Sequence, residues 1–224
     1  MKILLTNDDS HNSPFLKSII EKLETLGDLK IVLPAEEQSW KGKSMSRFEP
    51  IHLGEQNVFD RKVFTISGTP ADCVNFAIYH LYESKPDLVV SGINIGLNSG
   101  ACFIPCSGTI GACFEANIAE VPAIALSQYF CPEAYKKYYL GGTLEPGVLD
   151  NYYSQSKKIL DILFEKFLTN PSLLEVPLTW NINFPDSLSP ESQFKVTSVD
   201  NLKYGSLFKK TRSTLCSRIT GSLG

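Results

Sequence analysis

Along the chain, short apolar runs alternate with longer stretches in which apolar residues recur at helical spacing. The first run, Lys2–Leu5, leads directly into a polar loop, where Ser13 and Pro14 supply an N-cap and a proline for the first helical position. The apolar side chains that follow form one helical stripe: Phe15, Leu16, Ile19, Ile20, Leu23 and Leu26. A second run, Leu29–Leu33, completes a strand–helix–strand unit. Such a unit predicts a right-handed crossover between parallel strands.

The alternation continues through the rest of the chain. Apolar runs predict strands at 63–66, 87–90, 123–126 and 179–184, and helical spacing predicts helices from Thr69–Pro70, over 108–119 and over 152–169. Residues 128–151 are rich in tyrosine and show no period, so we interpret them as an irregular segment. Residues 185–224 are typical of β structure and turns. The whole pattern predicts an α/β fold.

Composition and charge narrow the class of protein. With 224 residues, 43% of them hydrophobic and 20% charged, the chain is typical of a globular protein. Its 21 Lys and Arg and 24 Asp and Glu give a net charge of −3 without a basic block, so we expect no nucleic-acid polymer as a partner. No apolar run approaches the ~18 residues of a membrane span, and the first run is too short for a signal peptide. We therefore expect a cytoplasmic protein that contacts no membrane.

Polar side chains follow three of the predicted strands. Asn7, Asp8 and Asp9 come after the first strand, residues 36–39 (EEQS) after the second, and residues 91–94 (SGIN) after the strand at 87–90. Because the carboxyl ends of parallel strands meet at one edge of a sheet, these loops can converge. Two adjacent carboxylates with other oxygen donors suit Mg²⁺ or Mn²⁺. The alternative is a solvated turn in which Asn7 caps its own backbone.

A second candidate lies at the start of the predicted helix over 108–119. Ser107, Gly108 and Thr109 stand where free backbone N–H groups and the helix dipole attract an anion such as a phosphate. A plain helix cap is the alternative interpretation. Two other phosphate motifs fail, because a P-loop would need glycine where Glu37 stands and the glycines at 92, 96 and 100 do not follow the dinucleotide spacing. The six cysteines form no CxxC pair, which favours free thiols.

Several segments together resemble the SurE family, survival proteins that are metal-dependent nucleotidases. The matching segments, in the family's order, are KILLTNDD at 2–9, LPAEEQSWKGKS at 33–44, SGTPADCV at 67–74, PDLVVSGINIGLNSG at 86–100, SGTIGACFEA at 107–116 and VPAIALS at 121–127. The resemblance implies that Asp8, Asp9, Ser39 and Asn94 hold the metal. It also implies that the substrate phosphate is bound by Asn98, Ser107, Gly108 and Thr109.

The chain departs from the family's pattern in three places. The family usually has glycine after NDD, whereas this chain has Ser10, which costs about 1–2 kcal/mol if the position requires a left-handed backbone. Residues 101–106 (ACFIPC) replace a more acidic run, which indicates a different substrate preference. The final residues, RSTLCSRITGSLG, replace the usual closing segment, so the oligomer is the weakest part of the analogy.

We therefore predict a Rossmann-like α/β protein with three αβα layers around a mostly parallel sheet. Residues 1–127 form the catalytic core, and residues 128–224 form an excursion in the same domain or a small subdomain with a smaller C-terminal β segment. The predicted activity is metal-dependent hydrolysis of nucleoside 5′- or 3′-monophosphates, with Asp8 or Asp9 as the base and one Mg²⁺ or Mn²⁺ per subunit. The alternatives are a phosphatase on polyphosphate or sugar phosphates and an inactive nucleotide-binding relative.

The resemblance also implies a homodimer or a dimer of dimers. The tyrosine-rich segment concentrates aromatic side chains within residues 128–153. Such side chains are enriched in interfaces and also stack on nucleobases. The segment is therefore a subunit contact, a base-binding wall, or a loop folded onto its own core.

Overall fold

The computed structural model describes residues 1–141, 144–210 and 215–217. Its strands are β1 (Lys2–Thr6), β2 (Asp28–Pro34), β3 (Leu53–Val58), β4 (Arg61–Ile66), β5 (Leu88–Ile95), β6 (Ala123–Gln128), β7 (Thr179–Phe184), β8 (Phe208–Lys210) and β9 (Leu215–Ser217). Its helices are α1 (Leu16–Glu24), α2 (Pro70–His80), α3 (Gly100–Phe103), α4 (Gly108–Ile118), α5 (Pro132–Gly141) and α6 (Pro146–Thr169). Short 3₁₀ turns occur at Ser10–Asn12, Ile104–Cys106 and Pro171–Leu174.

A seven-stranded sheet in the order β3-β4-β2-β1-β5-β6-β7 forms the centre of the fold. Neighbouring strands run parallel except for the edge pair β3 and β4. Without β3, the strands follow the 3-2-1-4-5-6 order of a Rossmann fold. β1 lies between β2 and β5, with Ile3 opposite Leu29 on one side and Leu88 on the other. The predicted Rossmann-like α/β fold is confirmed.

Helices cover both faces of the sheet and produce the predicted three layers. One hydrophobic cluster joins α1 and α6 to the sheet, with Phe164 among its buried members. A second cluster joins α2 and α4 to the sheet and includes Val74. Within β1, Ile3 and Leu5 belong to the first cluster and Leu4 to the second, as the alternation of side chains along a strand requires.

Helix α1 begins later than the sequence predicts. Ser13 and Pro14 were expected as its cap and first residue, but the helix begins at Leu16 with Phe15 at the N-cap. The N–H of Leu16 donates to the carbonyl oxygen of Ser13 at 3.2 Å, a three-residue spacing. A tight turn therefore precedes the helix and displaces its start.

The tyrosine-rich segment is not irregular, so this prediction is wrong. β6 extends to Gln128, α5 occupies Pro132–Gly141, and α6 begins at Pro146. The ring centroids of Phe130 and Tyr152 lie 4.4 Å apart, and both side chains are buried in the core. Tertiary packing of aromatic rings thus orders a segment in which the sequence shows no period.

Strand β5 is longer than predicted and continues to Ile95 through a shift of register between Ser91 and Asn94. Gly92 lies in this stretch with φ of 127°, and a Cβ there would be 2.3 Å from the carbonyl oxygen of Leu126 in β6. Only glycine permits both that backbone and that approach. The extension carries Asn94 to the carboxyl edge of the sheet.

The chain after β7 adds little regular structure. Within the described residues, the smaller C-terminal β segment is the antiparallel pair of β8 and β9. The remaining predicted β structure at 211–214 and 218–224 lies outside the described residues. The five cysteines whose side chains are described are free thiols. Over the same described ranges, none of the helices has the length and apolarity to cross a membrane.

Candidate active site

The loops after β1, β2 and β5 meet at the carboxyl edge of the sheet, where the strand order reverses. Asp8 and Asp9 follow β1. The N–H of Gln38, in the loop after β2, donates to the carbonyl oxygen of Asp8 at 2.8 Å. The backbone N–H of Ile95, at the end of β5, approaches the Asp9 carboxylate. The structure thus brings the three polar loops together.

Asp8 is held by the first turn of α4. Its side chain is 3% exposed, and its Oδ1 accepts a hydrogen bond from the Thr109 hydroxyl at 2.8 Å. A Cβ on Gly108 would lie 2.9 Å from the Asp8 Cβ and 3.1 Å from its Oδ2, so the helix approaches as closely as a glycine allows. The SGT segment therefore contacts the NDD loop directly, across 101 positions of sequence.

Burial raises the pKa of both carboxyl groups. For Asp8, loss of hydration is the largest cause, and hydrogen bonds from Thr109 oppose it. The pKa of Asp9 lies well above its usual range because the group is buried and because Asp8 and Glu37 add negative charge beside it. The Oδ2 atom of Asp9 is buried and has no hydrogen-bond partner among the described residues. A pair in this state needs a shared proton or a cation.

The loops that meet at Asp8 and Asp9 carry oxygen donors of the type that a hard divalent cation takes. Within the described ranges, no three His, Cys, Asp or Glu side chains are grouped to hold a metal by themselves, so neutral oxygen donors would have to complete the shell. Ser39 is next in sequence to Gln38, whose N–H donates to the backbone of Asp8. Asn94 is next to Ile95, whose N–H approaches the Asp9 carboxylate. The Ser39 hydroxyl donates to Glu37 Oε1 at 2.6 Å. Carboxylate, hydroxyl and amide oxygens are the ligands that Mg²⁺ and Mn²⁺ take.

Asn98 already has protein partners on three sides. It is 5% exposed, and its Nδ2 donates to Ser127 Oγ at 2.8 Å. Its N–H donates to Asn183 Oδ1 at 2.9 Å, and its carbonyl oxygen accepts from Asn181 Nδ2 at 2.6 Å. These bonds join the loop after β5 to β6 and β7. The sequence does not predict that Asn181 and Asn183 hold this loop. The one indication of it is that their amide side chains lie within a short apolar strand.

Ser107 is the N-cap of α4. Its Oγ accepts a hydrogen bond from the N–H of Ile110 at 3.2 Å, which is the cap arrangement left open by the sequence. The first N–H groups of a helix have no partner within it, so a cap and an anion site can coexist at one terminus. Thr109 turns its hydroxyl to Asp8, a partner that the sequence did not predict.

Ser10, next to the carboxylate pair, has a left-handed backbone with φ of 62°. Its carbonyl oxygen accepts a hydrogen bond from Asn7 Nδ2 at 2.8 Å, and its hydroxyl donates to the carbonyl oxygen of Ala35 at 3.2 Å. Residue 10 therefore does require a left-handed backbone, which is a strained conformation for serine. Hydrogen bonds on both sides of the residue hold it in this conformation.

A cleft of about 320 Å³ opens beside Asp9. Its lining includes Asn12, Glu36, Glu37, Tyr138 and Tyr139. The two tyrosines belong to α5, so the helix that the sequence did not predict forms one wall. Their signal was the density of tyrosine in this segment. For Glu37, the sequence offers no indication of a role in the cleft beyond its place in the loop after β2.

Comparisons with known proteins agree with the resemblance. The family model described as Survival protein SurE matches residues 3–206. The 5′-nucleotidase SurE of Methanocella arvoryzae is 36% identical over 207 residues, which cover 92% of this chain and 75% of that protein. The 5′-nucleotidase SurE of Methanopyrus kandleri is 44% identical over 128 residues, which cover 57% of this chain and 49% of that protein.

The crystal structure of the SurE protein from Aquifex aeolicus has the same fold, with a TM-score of 0.68 and 30% sequence identity. The match covers 92% of this chain and 74% of that chain. The likeness therefore includes the segment after β6 as well as the core. Because the family model spans nearly all of the sequence, the chain belongs to the SurE family.

Proposed function

We propose that the chain is a metal-dependent phosphomonoesterase that converts nucleoside monophosphates to nucleoside and phosphate. The observation that carries the proposal is the pair of buried Asp8 and half-buried Asp9, with a buried, unpartnered Asp9 oxygen, packed against the start of α4. Two carboxylates can hold a cation that binds a phosphate ester, and a helix N-terminus can bind its remaining oxygens. The relatives named 5′-nucleotidase SurE support the same substrate class.

In this proposal Asp8, Asp9, Ser39 and Asn94 hold one divalent cation, Mg²⁺ or Mn²⁺. The raised pKa of Asp9 and its lone buried oxygen support the assignment, since a cation would relieve both the repulsion and the missing partner. When bound, such an ion polarises a phosphoryl oxygen and lowers the pKa of a coordinated water.

The chain's own residues orient and neutralise the substrate. The N–H of Gly108, the first residue of α4, stabilises the charge that develops on the phosphoryl group. The N–H of Ser107 already donates to the carbonyl oxygen of Phe103 at 3.1 Å. Thr109 holds the Asp8 carboxylate in one orientation. Asp8 or Asp9 accepts the proton of the attacking water. Asn98 positions the loop after β5 through its bonds to β6 and β7.

The test is hydrolysis of AMP and GMP by the purified protein, after exhaustive chelation and after Mg²⁺ or Mn²⁺ is restored. We expect activity only with the ion. Asp9→Asn should abolish it, whereas Asp150→Asn on the exposed side of α6 serves as a matched control and should not. Full activity in EDTA would refute the metal site. Tripolyphosphate or glucose 6-phosphate as the better substrate would favour the first alternative, and nucleotide binding without turnover the second.

Assembly and location form the remaining part of the proposal: a cytoplasmic homodimer or dimer of dimers. Phe130 and Tyr152 are buried in the core, whereas Tyr139 is 44% and Leu140 65% exposed, so part of the tyrosine-rich segment is free for a subunit contact. Val196 is 88% exposed and Val199 64%, and both lie in the extended segment after β7. Exposed apolar side chains of this kind favour a contact through that segment. Light scattering that reports a monomer at micromolar concentration, with full activity, would contradict it.

A further inference from the structure

The cleft beside Asp9 extends the site away from the carboxylate pair and towards α5. Asp9, after β1, and Tyr138 and Tyr139, on α5, all line it. Its volume of about 320 Å³ is near the lower end of the range of about 300–1,000 Å³ for small-molecule pockets. The cleft therefore suits one small ligand that begins at the carboxylates and ends at an aromatic surface.

The aromatic wall is backed by further rings. Tyr139 is 44% exposed, and its ring packs against Tyr135 with centroids 4.4 Å apart and edge-on against Tyr138 at 5.7 Å. Tyr138 in turn contacts the buried ring of Phe130 at 6.1 Å. A tyrosine supported in this way keeps its orientation while part of its surface stays free. Exposed aromatic rings of this kind stack on nucleobases.

The other wall is anionic. Glu36 and Glu37 line the cleft and are exposed, and Asn12 lies beside them. Carboxylates accept hydrogen bonds from sugar hydroxyls and amino groups but repel phosphate groups. The lysines at 136 and 137 on α5 line a different hollow, and Lys137 is paired with Glu145 at 2.8 Å. They do not neutralise this wall.

We propose that this cleft is the nucleoside subsite. Tyr139 stacks on the base, and Glu36 with Glu37 accepts the uncharged sugar and excludes a second phosphate group. The subsite takes one nucleoside monophosphate, with its phosphate at Asp9, and rejects polyphosphate and nucleoside di- and triphosphates. The inference rests on the proposed function for the position of the phosphate. It adds the residues that select the substrate.

The first experiment compares AMP with ribose 5-phosphate, which lacks the base, in Tyr139→Ala, Tyr139→Phe and Tyr79→Ala. Tyr79 is a tyrosine on α2 that is 57% exposed, and α2 covers the opposite face of the sheet. In Tyr139→Ala, the ratio of kcat/KM for AMP to that for ribose 5-phosphate is expected to fall about tenfold. In Tyr139→Phe, which keeps the ring, and in Tyr79→Ala, the ratio stays within about twofold of the wild type.

The second experiment does not depend on turnover. Calorimetry with adenosine, which has no phosphate, should show about tenfold weaker binding to Tyr139→Ala than to the wild type. Glu36→Gln should raise the rate on tripolyphosphate relative to AMP by several-fold, because it removes one repelling charge.

The outcomes separate the subsite from the proposed function. An unchanged AMP to ribose 5-phosphate ratio and unchanged adenosine binding in Tyr139→Ala would overturn the subsite, even in an active enzyme. Adenosine binding that depends on Tyr139, in a protein that hydrolyses no phosphate ester with either ion, would keep the subsite and overturn the proposed function.

Discussion

The strain at Ser10 can be measured by comparing Ser10→Gly with Ser10→Ala. Both variants lose the hydroxyl that donates to the carbonyl oxygen of Ala35 at 3.2 Å. Only glycine adopts the left-handed backbone, φ of 62°, without steric cost. The lost hydrogen bond therefore cancels in the comparison, and the backbone strain remains.

The expected magnitudes follow from three contributions. Losing the hydrogen bond destabilises both variants by about 0.5–1.5 kcal/mol. Relief of the left-handed conformation stabilises Ser10→Gly by about 1–2 kcal/mol. Greater freedom of the unfolded chain offsets about 0.4–1 kcal/mol of that gain. The free energy of unfolding of Ser10→Ala should thus be about 1 kcal/mol lower than that of the wild type. That of Ser10→Gly should be about 0.5–1 kcal/mol higher than that of Ser10→Ala.

Urea unfolding in EDTA, followed by tryptophan fluorescence, measures these differences without a contribution from metal binding. With a slope of about 2 kcal/mol/M, the midpoint of Ser10→Gly should lie about 0.3–0.5 M above that of Ser10→Ala. Equal slopes in the three proteins are the control for an unchanged unfolded state. If Ser10→Ala is as stable as Ser10→Gly, residue 10 is not strained and the loop has another shape.

Four further results are expected. Asp8→Asn and Asp9→Asn should each lower kcat at least about 10²-fold with an unchanged circular dichroism spectrum, because they remove charge from the proposed metal site; wild-type rates would show that the pair holds no catalytic metal. Thr109→Val should lower kcat about tenfold by releasing the Asp8 carboxylate, and Thr109→Ser should restore it; equal rates in the two variants would show that the hydroxyl is not needed. Burial and neighbouring carboxylates raise the pKa of Asp9 in the folded state. The metal-free protein should therefore lose stability as the pH rises from the usual Asp pKa through the raised one. In denaturation experiments at a series of pH values, the free energy of unfolding of Asp9→Asn should fall less steeply with pH. Burial also raises the pKa of the Cys73 and Cys113 thiols, so mild treatment with iodoacetamide should leave AMP turnover intact, and lost turnover in folded protein would contradict this.

The elements that the sequence predicts well are those with local causes. Helix α2 begins at Pro70, as expected, because Thr69 and Asp72 cap each other: Thr69 Oγ1 accepts from the Asp72 N–H at 3.1 Å, and Asp72 Oδ2 accepts from the Thr69 N–H at 2.8 Å. The central strands are apolar because both faces of the sheet are covered, and their runs are visible without any structure.

Helix α5 could not be predicted because its cause is tertiary. Tyr135 and Tyr138 pack on the core while Lys136 and Lys137 stay exposed, so the helix has a buried side. That side consists of Ala134 and of tyrosines, which have weak helix propensity, and no aliphatic stripe marks it. Only the position of Phe130 and the sheet beneath it reveals the pattern.

For the candidate site, the sequence alone left a metal pair and a solvated turn as alternatives for Asp8 and Asp9, and the family resemblance selected between them. The structure adds the burial, the unpartnered oxygen and the bond from Thr109. None of these can be inferred from neighbouring residues, because the groups that enclose Asp8 come from distant parts of the chain.

The separation of Asp8 and Thr109 also determines when the site forms during synthesis. β1 and β2 leave the ribosome early and can pair locally, but β5 and α4, which enclose the other side of the aspartates, are made much later. A nascent chain that ends before Thr109 keeps both carboxylates hydrated and charged. Their costly removal from water is therefore deferred until the surrounding sheet can support it. The end of the sheet that carries the two carboxylates matures in one late step, after most of the sheet has been translated.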